Sequence, residues 1–353
     1  MKRERDYFYS WGILIRIFDL KFDNIHTQTV IGHFKKSQMK ILYLLIIAAL
    51  FTFSCKRKTQ WDYGSFFEQS FELINEKSIK KNELNWVDLK QTVLDSIKDF
   101  DNNEKVYNAI GYTIKLIDDG HSVFVPANKP NSLTVDTLQI PSITSKIIDN
   151  NIAYLKLPGF VANDSLSRQY ALNIRRSLLE LDQSKNISGW IIDLRMNTGG
   201  KLSNECLGIS PLFENSLIGI SFNNKNDFRK ITCKANYLNF GKTKMDSLIY
   251  DSQLKNMNRK IAVLVSKKTV SAGEFLALAF KFQNNTKLFG EKTKGKTSHL
   301  QLFTFKSDAK LLLAIENYCD RENNVISGGI IPDVECLPKE SLPKAIEWIK
   351  NAL

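Results

Sequence analysis

Residues 189–200 read GWIIDLRMNTGG, an apolar run that passes into a polar turn closed by two glycines. Residues 261–265 read IAVLV and form a second run of this kind, followed by a predicted apolar helix at 272–282. Runs that are apolar at every position are typical of strands buried on both faces of a parallel sheet. Together with a predicted amphipathic helix at 166–181, they indicate an α/β fold with a mostly parallel central sheet.

The elements around these runs divide the chain into an N-terminal part and a core. Helical periodicity from 61 to 118, ended by Gly120, and a strand at 122–125 predict an N-terminal helical unit at 61–125. A proline-containing connector at 126–146 leads to the core at 147–353. Further predicted features of the core are strands at 152–157, 286–289, 298–305 and 311–318, and Asp164 or Ser165 as the cap of the helix at 166–181.

The composition is that of a folded protein. The 353 residues are 43% hydrophobic and 24% charged, which excludes a disordered chain, a collagen-like chain and a protein with many membrane spans. Basic residues exceed acidic ones and give a net charge of +12. An acidic partner such as a nucleic acid therefore has to be considered.

Part of this charge lies in residues 1–54, a segment predicted not to fold with the rest of the protein. Residues 41–54 form an uncharged apolar run that follows Lys40 and ends at Cys55. The run is shorter than the roughly 20 residues of a spanning helix, and its end at a cysteine resembles a bacterial lipoprotein signal. A short signal anchor, or a buried strand with an incidental cysteine, is the alternative. The predicted segments are an upstream extension from a misread start codon at 1–38, a lipoprotein signal peptide at 39–54 and a tether at 55–60.

These assignments predict a protein of the bacterial cell envelope that faces the periplasm and is held to the membrane by a lipid on Cys55. Residues 55–353 keep 41 basic and 33 acidic side chains, a net charge of +8. The excess is scattered and lacks the interleaved aromatic residues of nucleic-acid-binding surfaces. We therefore expect no nucleic-acid partner.

Residues 290–297, GEKTKGKT, match the phosphate-loop pattern. That loop binds a nucleotide only when its Lys-Thr pair opens a helix, whereas residues 298–305 alternate like a strand, so no nucleotide is expected. Disulfide pairing stays open. Neither a metal nor another cofactor is expected, because no Cys-x-x-Cys spacing relates Cys206, Cys233, Cys319 and Cys336.

Ser271 lies where the strand at 261–265 passes into the predicted helix at 272–282. A hydroxyl at such a junction can serve as a nucleophile, because the first amides and the positive dipole end of the helix stabilise an oxyanion. The turn at 197–200 supplies further unhindered amides. The alternative is an ordinary helix N-cap, with Glu274 completing a capping box.

A serine nucleophile needs a base, and beyond residue 54 the chain contains only His121 and His299 as histidines. His121 follows Gly120 in a predicted loop, a placement that suits a site, although a surface histidine is the alternative. Lys296 is the second candidate base, provided that burial lowers its pKa.

Six blocks of sequence occur in a characteristic order. They are GHS at 120–122, IAYLKLPGF at 152–160, GWIIDLRMNTGG at 189–200, VSAGE at 270–274, GEKTKGK at 290–296 and GGIIPDV at 328–334. In this order they resemble the C-terminal processing (tail-specific) serine peptidases, and most closely their tricorn-like branch. The resemblance implies a crotonase-like core of repeated ββα units and a peptide or protein substrate. It also implies Ser271 as nucleophile, with the Gly200 and Ala272 amides at the oxyanion.

The resemblance leaves the base open between two branches. In the Ser-Lys branch the lysine lies 25 residues after the serine, as Lys296 does, but Leu300 stands where that branch has glutamine. In the tricorn-like branch the base is a histidine N-terminal to the core, where His121 lies. We favour His121, with Lys296 as base or auxiliary cation, and expect an orienting group near Ser122 or at 317–320.

The chain also departs from the family in length. Many members carry a PDZ domain between the N-terminal unit and the core, and it binds substrate C-termini by strand addition. Only about 25 residues separate Val125 from Ile152, too few for such a domain, so short peptides or an intrinsic groove of the core are favoured. The competing prediction is a catalytically inactive, peptide-binding envelope lipoprotein of the same fold.

Overall fold

The computed structural model describes residues 62–97, 99–127, 139–184, 186–234, 236–249, 254–255 and 259–351. Residues Tyr63–Leu353 form one compact unit. The predicted upstream extension, signal peptide, Cys55 and tether lie outside the described residues, as do positions 128–138 of the predicted connector. Within the described ranges, no helix is both long enough and apolar enough to cross a membrane.

The chain is a mixed α/β protein. Its described elements, in chain order, are α1 (Tyr63–Lys77), α2 (Trp86–Ser96), α3 (Asn103–Ile117), β1 (Val123–Val125), β2 (Thr144–Ile148), β3 (Ile152–Lys156), α4 (Asp164–Ser184), β4 (Gly189–Asp193), α5 (Leu202–Ile209), β5 (Leu217–Asn223), β6 (Phe228–Lys234), β7 (Tyr237–Phe240), β8 (Thr243–Ser247), β9 (Lys260–Val265), α6 (Ala272–Lys281), β10 (Thr286–Gly290), β11 (Ser298–Thr304), β12 (Lys310–Cys319), β13 (Val334–Glu335) and α7 (Pro338–Lys350).

Two helix boundaries differ from the prediction by one or two residues. Helix α4 is capped by Asn163, whose Oδ1 accepts a hydrogen bond from the Leu166 N–H at 3.0 Å, so the predicted cap at Asp164 or Ser165 was wrong. Helix α3 ends at Asp118, which adopts the left-handed conformation with φ 47°, before Gly120. Asn and Asp are common at helix ends because their short polar side chains can form hydrogen bonds with nearby backbone groups.

The predicted parallel sheet is present and has the strand order β13-β10-β9-β4-β3-β2. Its pairs are parallel except for β2 with β3. Trp190 and Ile192 of β4 enter the main core, whereas Ile191 faces the opposite side and packs with Ala345 and Ile349 of α7. Burial on both faces explains why these strands are apolar at every position.

The strands predicted at 298–305 and 311–318 do exist, but they belong to a second, antiparallel sheet that the sequence did not predict. Its order is β1-β12-β5-β6-β7-β8, and β11 pairs with β12. The link between β11 and β12 spans only residues 305–309. A parallel crossover needs a dozen or more residues, so this link permits only antiparallel pairing.

The fold brings two loops together at one edge of the parallel sheet. Strands β4 and β9 are parallel neighbours, so the loops at their carboxyl ends meet. The Thr269 hydroxyl donates to the Leu194 carbonyl at 2.8 Å. The Val270 N–H donates to the Asn197 carbonyl at 2.9 Å. Ser271 is therefore held beside the 197–200 turn.

Candidate active site

Ser271 occupies a strained backbone position at the start of α6. Its φ of 54° and ψ of −115° lie where residues other than glycine are rare. Glu274 Oε2 accepts a hydrogen bond from the Ser271 N–H at 2.9 Å, as the capping interpretation predicts. The hydroxyl, however, also bonds outside the helix, since Ser271 Oγ lies 3.0 Å from His121 Nε2.

His121 lies between two hydroxyl groups. Its Nε2 bonds Ser271 and its Nδ1 lies 2.8 Å from Ser298 Oγ. The ring is only 5% exposed. Asp119 fixes the loop, because its Oδ1 accepts hydrogen bonds from the His121 and Ser122 N–H groups at 2.9 and 2.7 Å. Ser298 and Ser271, which lie 177 and 150 positions after His121 in the chain, therefore both contact its imidazole.

The surroundings of His121 keep its imidazole neutral. Burial is the largest cause that lowers the pKa of His121, the Lys296 ammonium adds to it, Asp119 opposes both, and the resulting pKa is about 4. At neutral pH one ring nitrogen thus carries a proton and the other accepts one. If Nδ1–H donates to Ser298, Nε2 is left free to accept the Ser271 proton.

Ser298 is the site residue that the sequence did not predict. The orienting group was expected near Ser122 or at 317–320, but the Ser122 hydroxyl donates to Asp119 Oδ2 at 2.5 Å. Ser298 begins β11 and pairs with Asn317 of β12. The only available signal was its position two residues after Lys296 at the start of a predicted strand.

Lys296 is near His121 but is not hydrogen bonded to Ser271. Its N–H donates to Glu274 Oε2 at 2.8 Å, and its charge acts on the His121 pKa. Among the described residues, the only side chain that bonds Ser271 Oγ is His121. The structure thus brings His121 and Ser271 together and leaves Lys296 beside the pair.

The predicted oxyanion amides are those of Gly200 and Ala272, and the glycine turn at 199–200 packs against Ser271 and Phe160. A Cβ added at Gly199 would lie 3.0 Å from Ser271 Cβ and 3.5 Å from the Ala272 nitrogen, and a Cβ at Gly200 would lie 2.3 Å from the Phe160 carbonyl oxygen. Only glycine fits these contacts. Neither the Gly200 nor the Ala272 amide donates a hydrogen bond within the part of the chain described, so both are available to a ligand oxygen.

A cluster of metal ligands is not found at this site or elsewhere in the described ranges. The chemistry of the site is that of hydroxyls, one imidazole and backbone amides. Such a set suits proton transfer and the stabilisation of an anionic oxygen.

The chain is similar in sequence to known proteins. The chain is 29% identical over 269 residues to the nisin-resistance protein of Lactococcus lactis subsp. lactis, covering 76% of this chain and 81% of that protein. It is 26% identical over 205 residues to the carboxy-terminal processing protease CtpA of Bacillus subtilis (strain 168). That match covers 58% of this chain but 39% of CtpA, so the chain spans less than half of that relative.

Solved structures share the fold. A lipoprotein from Streptococcus agalactiae superposes with a TM-score of 0.70 at 20% identity, covering 82% of this chain and 96% of that one. The photosystem II D1 C-terminal processing protease gives a TM-score of 0.53 at 15% identity, covering 81% and 95% of the two chains. The model of peptidase family S41 matches residues 151–336, more than half of the chain. The chain therefore belongs to peptidase family S41.

Proposed function

We propose that this protein is a serine peptidase that hydrolyses peptide bonds through an acyl-enzyme on Ser271. One observation carries the proposal: in a member of a peptidase family, Ser271 Oγ lies 3.0 Å from the Nε2 atom of a buried, neutral histidine. Within the described residues, that imidazole is the one proton acceptor within reach of the hydroxyl. We assign it the role of base.

In this mechanism His121 Nε2 takes the Ser271 proton as Oγ attacks the carbonyl carbon of the peptide. The Gly200 and Ala272 amides donate to the oxygen that becomes negative. The His121 imidazolium then returns the proton to the leaving amine, and the carbon–nitrogen bond breaks. Water, deprotonated by the same imidazole, then attacks the acyl carbon, and the imidazolium returns this proton to Ser271 Oγ as the bond between Oγ and the acyl carbon breaks.

Ser298 and Lys296 act on the base. The Ser298 hydroxyl, 2.8 Å from Nδ1, orients the ring and selects the tautomer with a free Nε2. Burial is the main reason why the resting imidazole is uncharged, and the Lys296 ammonium adds to it by lowering the His121 pKa. Lys296 is thus an auxiliary cation in our proposal.

We further propose that the substrates are short peptides bound along the core, and that the protein is a lipoprotein of the cell envelope facing the periplasm. The nisin-resistance protein among its relatives makes nisin a reasonable first substrate to test. A solved structure with the same fold is described as a lipoprotein, which supports the proposed lipid anchor on Cys55. No nucleic acid, nucleotide or cofactor enters the proposal.

The Ser271→Ala variant tests the reaction. We expect kcat on a fluorogenic peptide library to fall by roughly 10⁴-fold or more, and labelling by a fluorophosphonate to disappear. Ser145→Ala, at an exposed serine of β2, is the matched control and should behave as the wild type. If the wild type binds peptides but is neither labelled nor active, the protein is instead an inactive peptide-binding lipoprotein.

A further inference from the structure

A buried carboxyl group lies directly behind the 197–200 turn. Glu205, on α5, is 1% exposed. Its Oε2 accepts one hydrogen bond, from Asn197 Nδ2 at 3.1 Å, while its Oε1 is buried and has no hydrogen-bond partner among the described residues. The mechanism proposed above makes no use of this group.

Glu205 is linked to both halves of the oxyanion site through one asparagine. Asn197 is fully buried; its Oδ1 accepts the Gly199 N–H at 2.9 Å, and its carbonyl accepts the Val270 N–H at 2.9 Å. The amide side chain therefore ties the glycine turn to the residue before Ser271. The hydrogen bond to Glu205 fixes which way that amide points.

Glu205 also touches the turn itself. A Cβ at Gly200 would lie 2.7 Å from Glu205 Oε1, so the unpartnered carboxyl oxygen lies against the residue whose amide is proposed to bind the substrate oxygen. A negative charge at this place would oppose the negative charge that develops on the substrate oxygen. A protonated carboxyl would not.

We propose that Glu205 is a positioning residue for the oxyanion site of the peptidase proposed above. The oxyanion site works while the Glu205 carboxyl is protonated and is impaired when that carboxyl ionises. The inference rests on the proposed function, since it presupposes a reaction in which an oxyanion forms beside Gly200. Glu205 loses its proton to solvent as the pH rises and takes no part in bond breaking.

The electrostatic surroundings of Glu205 fit this role. Burial raises the pKa of Glu205 to about 7, and the Asn197 donor only partly opposes it. Burial raises the pKa values of the Tyr170 hydroxyl of α4 and the neighbouring Cys206 thiol, and a negative charge on Glu205 raises them further. Lys201 at the start of α5 is engaged by Asp164 and Asp246. Within the described ranges, no cation pairs with Glu205.

The test compares kcat/KM from pH 3 to 9 for the wild type and Glu205→Gln, on one peptide substrate. For the wild type we expect a fall of about tenfold for each pH unit above 7 and a separate fall below about pH 4, where His121 becomes charged. Glu205→Gln keeps the carbonyl that accepts from Asn197 and cannot ionise, so it should lose the alkaline fall and keep the acid one. Glu180→Gln, at an exposed position of α4, should leave both unchanged.

A second measurement follows the proton without turnover. The carbonyl stretch of a protonated, buried carboxyl group should disappear from the infrared difference spectrum of the wild type near pH 7, and should be missing at all pH values in Glu205→Gln. The inference would be overturned if kcat/KM of Glu205→Gln still fell above pH 7, or if the infrared band disappeared at a pH where kcat/KM does not change. Either result would leave the proposed peptidase activity standing. A wild type that hydrolyses no peptide at any pH would refute the peptidase itself, and the inference with it.

Discussion

His121 differs from the histidine of a Ser-His-Asp triad in the group behind it. A carboxylate on Nδ1 stabilises the imidazolium that forms during the reaction, whereas the Ser298 hydroxyl at 2.8 Å is a neutral dipole. Burial, with Lys296 adding to it, lowers the His121 pKa to about 4. In the proposed mechanism the base is therefore deprotonated at neutral pH but weak, so catalysis would depend more heavily on the oxyanion donors.

Substitution of the two candidate bases distinguishes their roles. We expect His121→Ala to lower kcat by about 10⁴-fold, because it removes the group that bonds Ser271 Oγ. Lys296→Ala should cost about tenfold or less, and should move the acid fall of kcat/KM to higher pH because the lost cation no longer depresses the His121 pKa. Lys294→Ala, at an exposed lysine of the same loop, is the control. The reverse ranking of His121→Ala and Lys296→Ala would make lysine the base.

The sequence pointed to Ser271 and His121 as candidates but not to Ser298. Ser271 stood out because a hydroxyl at a strand-to-helix junction has a chemical meaning without any partner. Ser298 acquires a role only when β11 pairs with β12 and its side chain turns toward a residue 177 positions earlier. Alternation predicts such a strand but does not say what its faces will meet.

At the scale of elements, Glu274 joins α6 to the loop that precedes β11. It is fully buried, and beyond the Ser271 N–H it accepts from the Lys296 and Gly295 N–H groups at 2.8 and 2.7 Å and from the Thr293 hydroxyl at 2.6 Å. The loop that matches a phosphate-binding pattern thus does bind an anionic group through its amides, but that group is a carboxylate of the protein. Strand β11 follows it, as predicted, in place of a helix.

Glu274→Gln should therefore weaken both the fold and the site. The substituted amide has one acceptor oxygen for four donors and places its own N–H₂ against some of them, which should cost about 2 kcal/mol of unfolding free energy or more. Urea unfolding measures this cost, and kcat should fall because the strained Ser271 backbone loses its anchor. Glu180→Gln, the same change on the exposed face of α4, should alter neither. An unchanged urea midpoint in Glu274→Gln would contradict this account.

The two sheets differ in how well the sequence revealed them. Strands β4 and β9 are buried at nearly every position, and such a signal is hard to mistake. Strand β6 instead alternates between exposed and buried positions, and β8 is exposed or half-buried throughout. Short strands of this kind resemble loops in sequence, and their pairing is decided by tertiary contacts.

At the scale of the whole molecule, the site joins the two predicted parts of the chain. His121 lies between α3 and β1, in the predicted helical unit, whereas Ser271 and Ser298 come from the predicted core. Strand β1 pairs with β12, and the Phe66 ring of α1 lies 5.4 Å from the Phe305 ring after β11. The helical unit is therefore needed to place the proposed base, and it belongs to the same compact unit as the core.

The excess of positive charge leads to the last prediction, which concerns where this body resides. Of the eight basic side chains in residues 1–54, seven lie in the predicted upstream extension, and Lys40 provides the positive start of the predicted signal peptide at 39–54. Protein expressed in bacteria from Met39 should therefore enter the membrane fraction and incorporate an alkyne-tagged fatty acid. Cys55→Ser should remain unlabelled and shift to the soluble fraction, because one or more acyl chains supply most of the membrane affinity. Cys336→Ser makes the same change at a half-buried cysteine of the core and should stay labelled. A Cys55→Ser protein that keeps its label and its membrane association would exclude lipidation at Cys55.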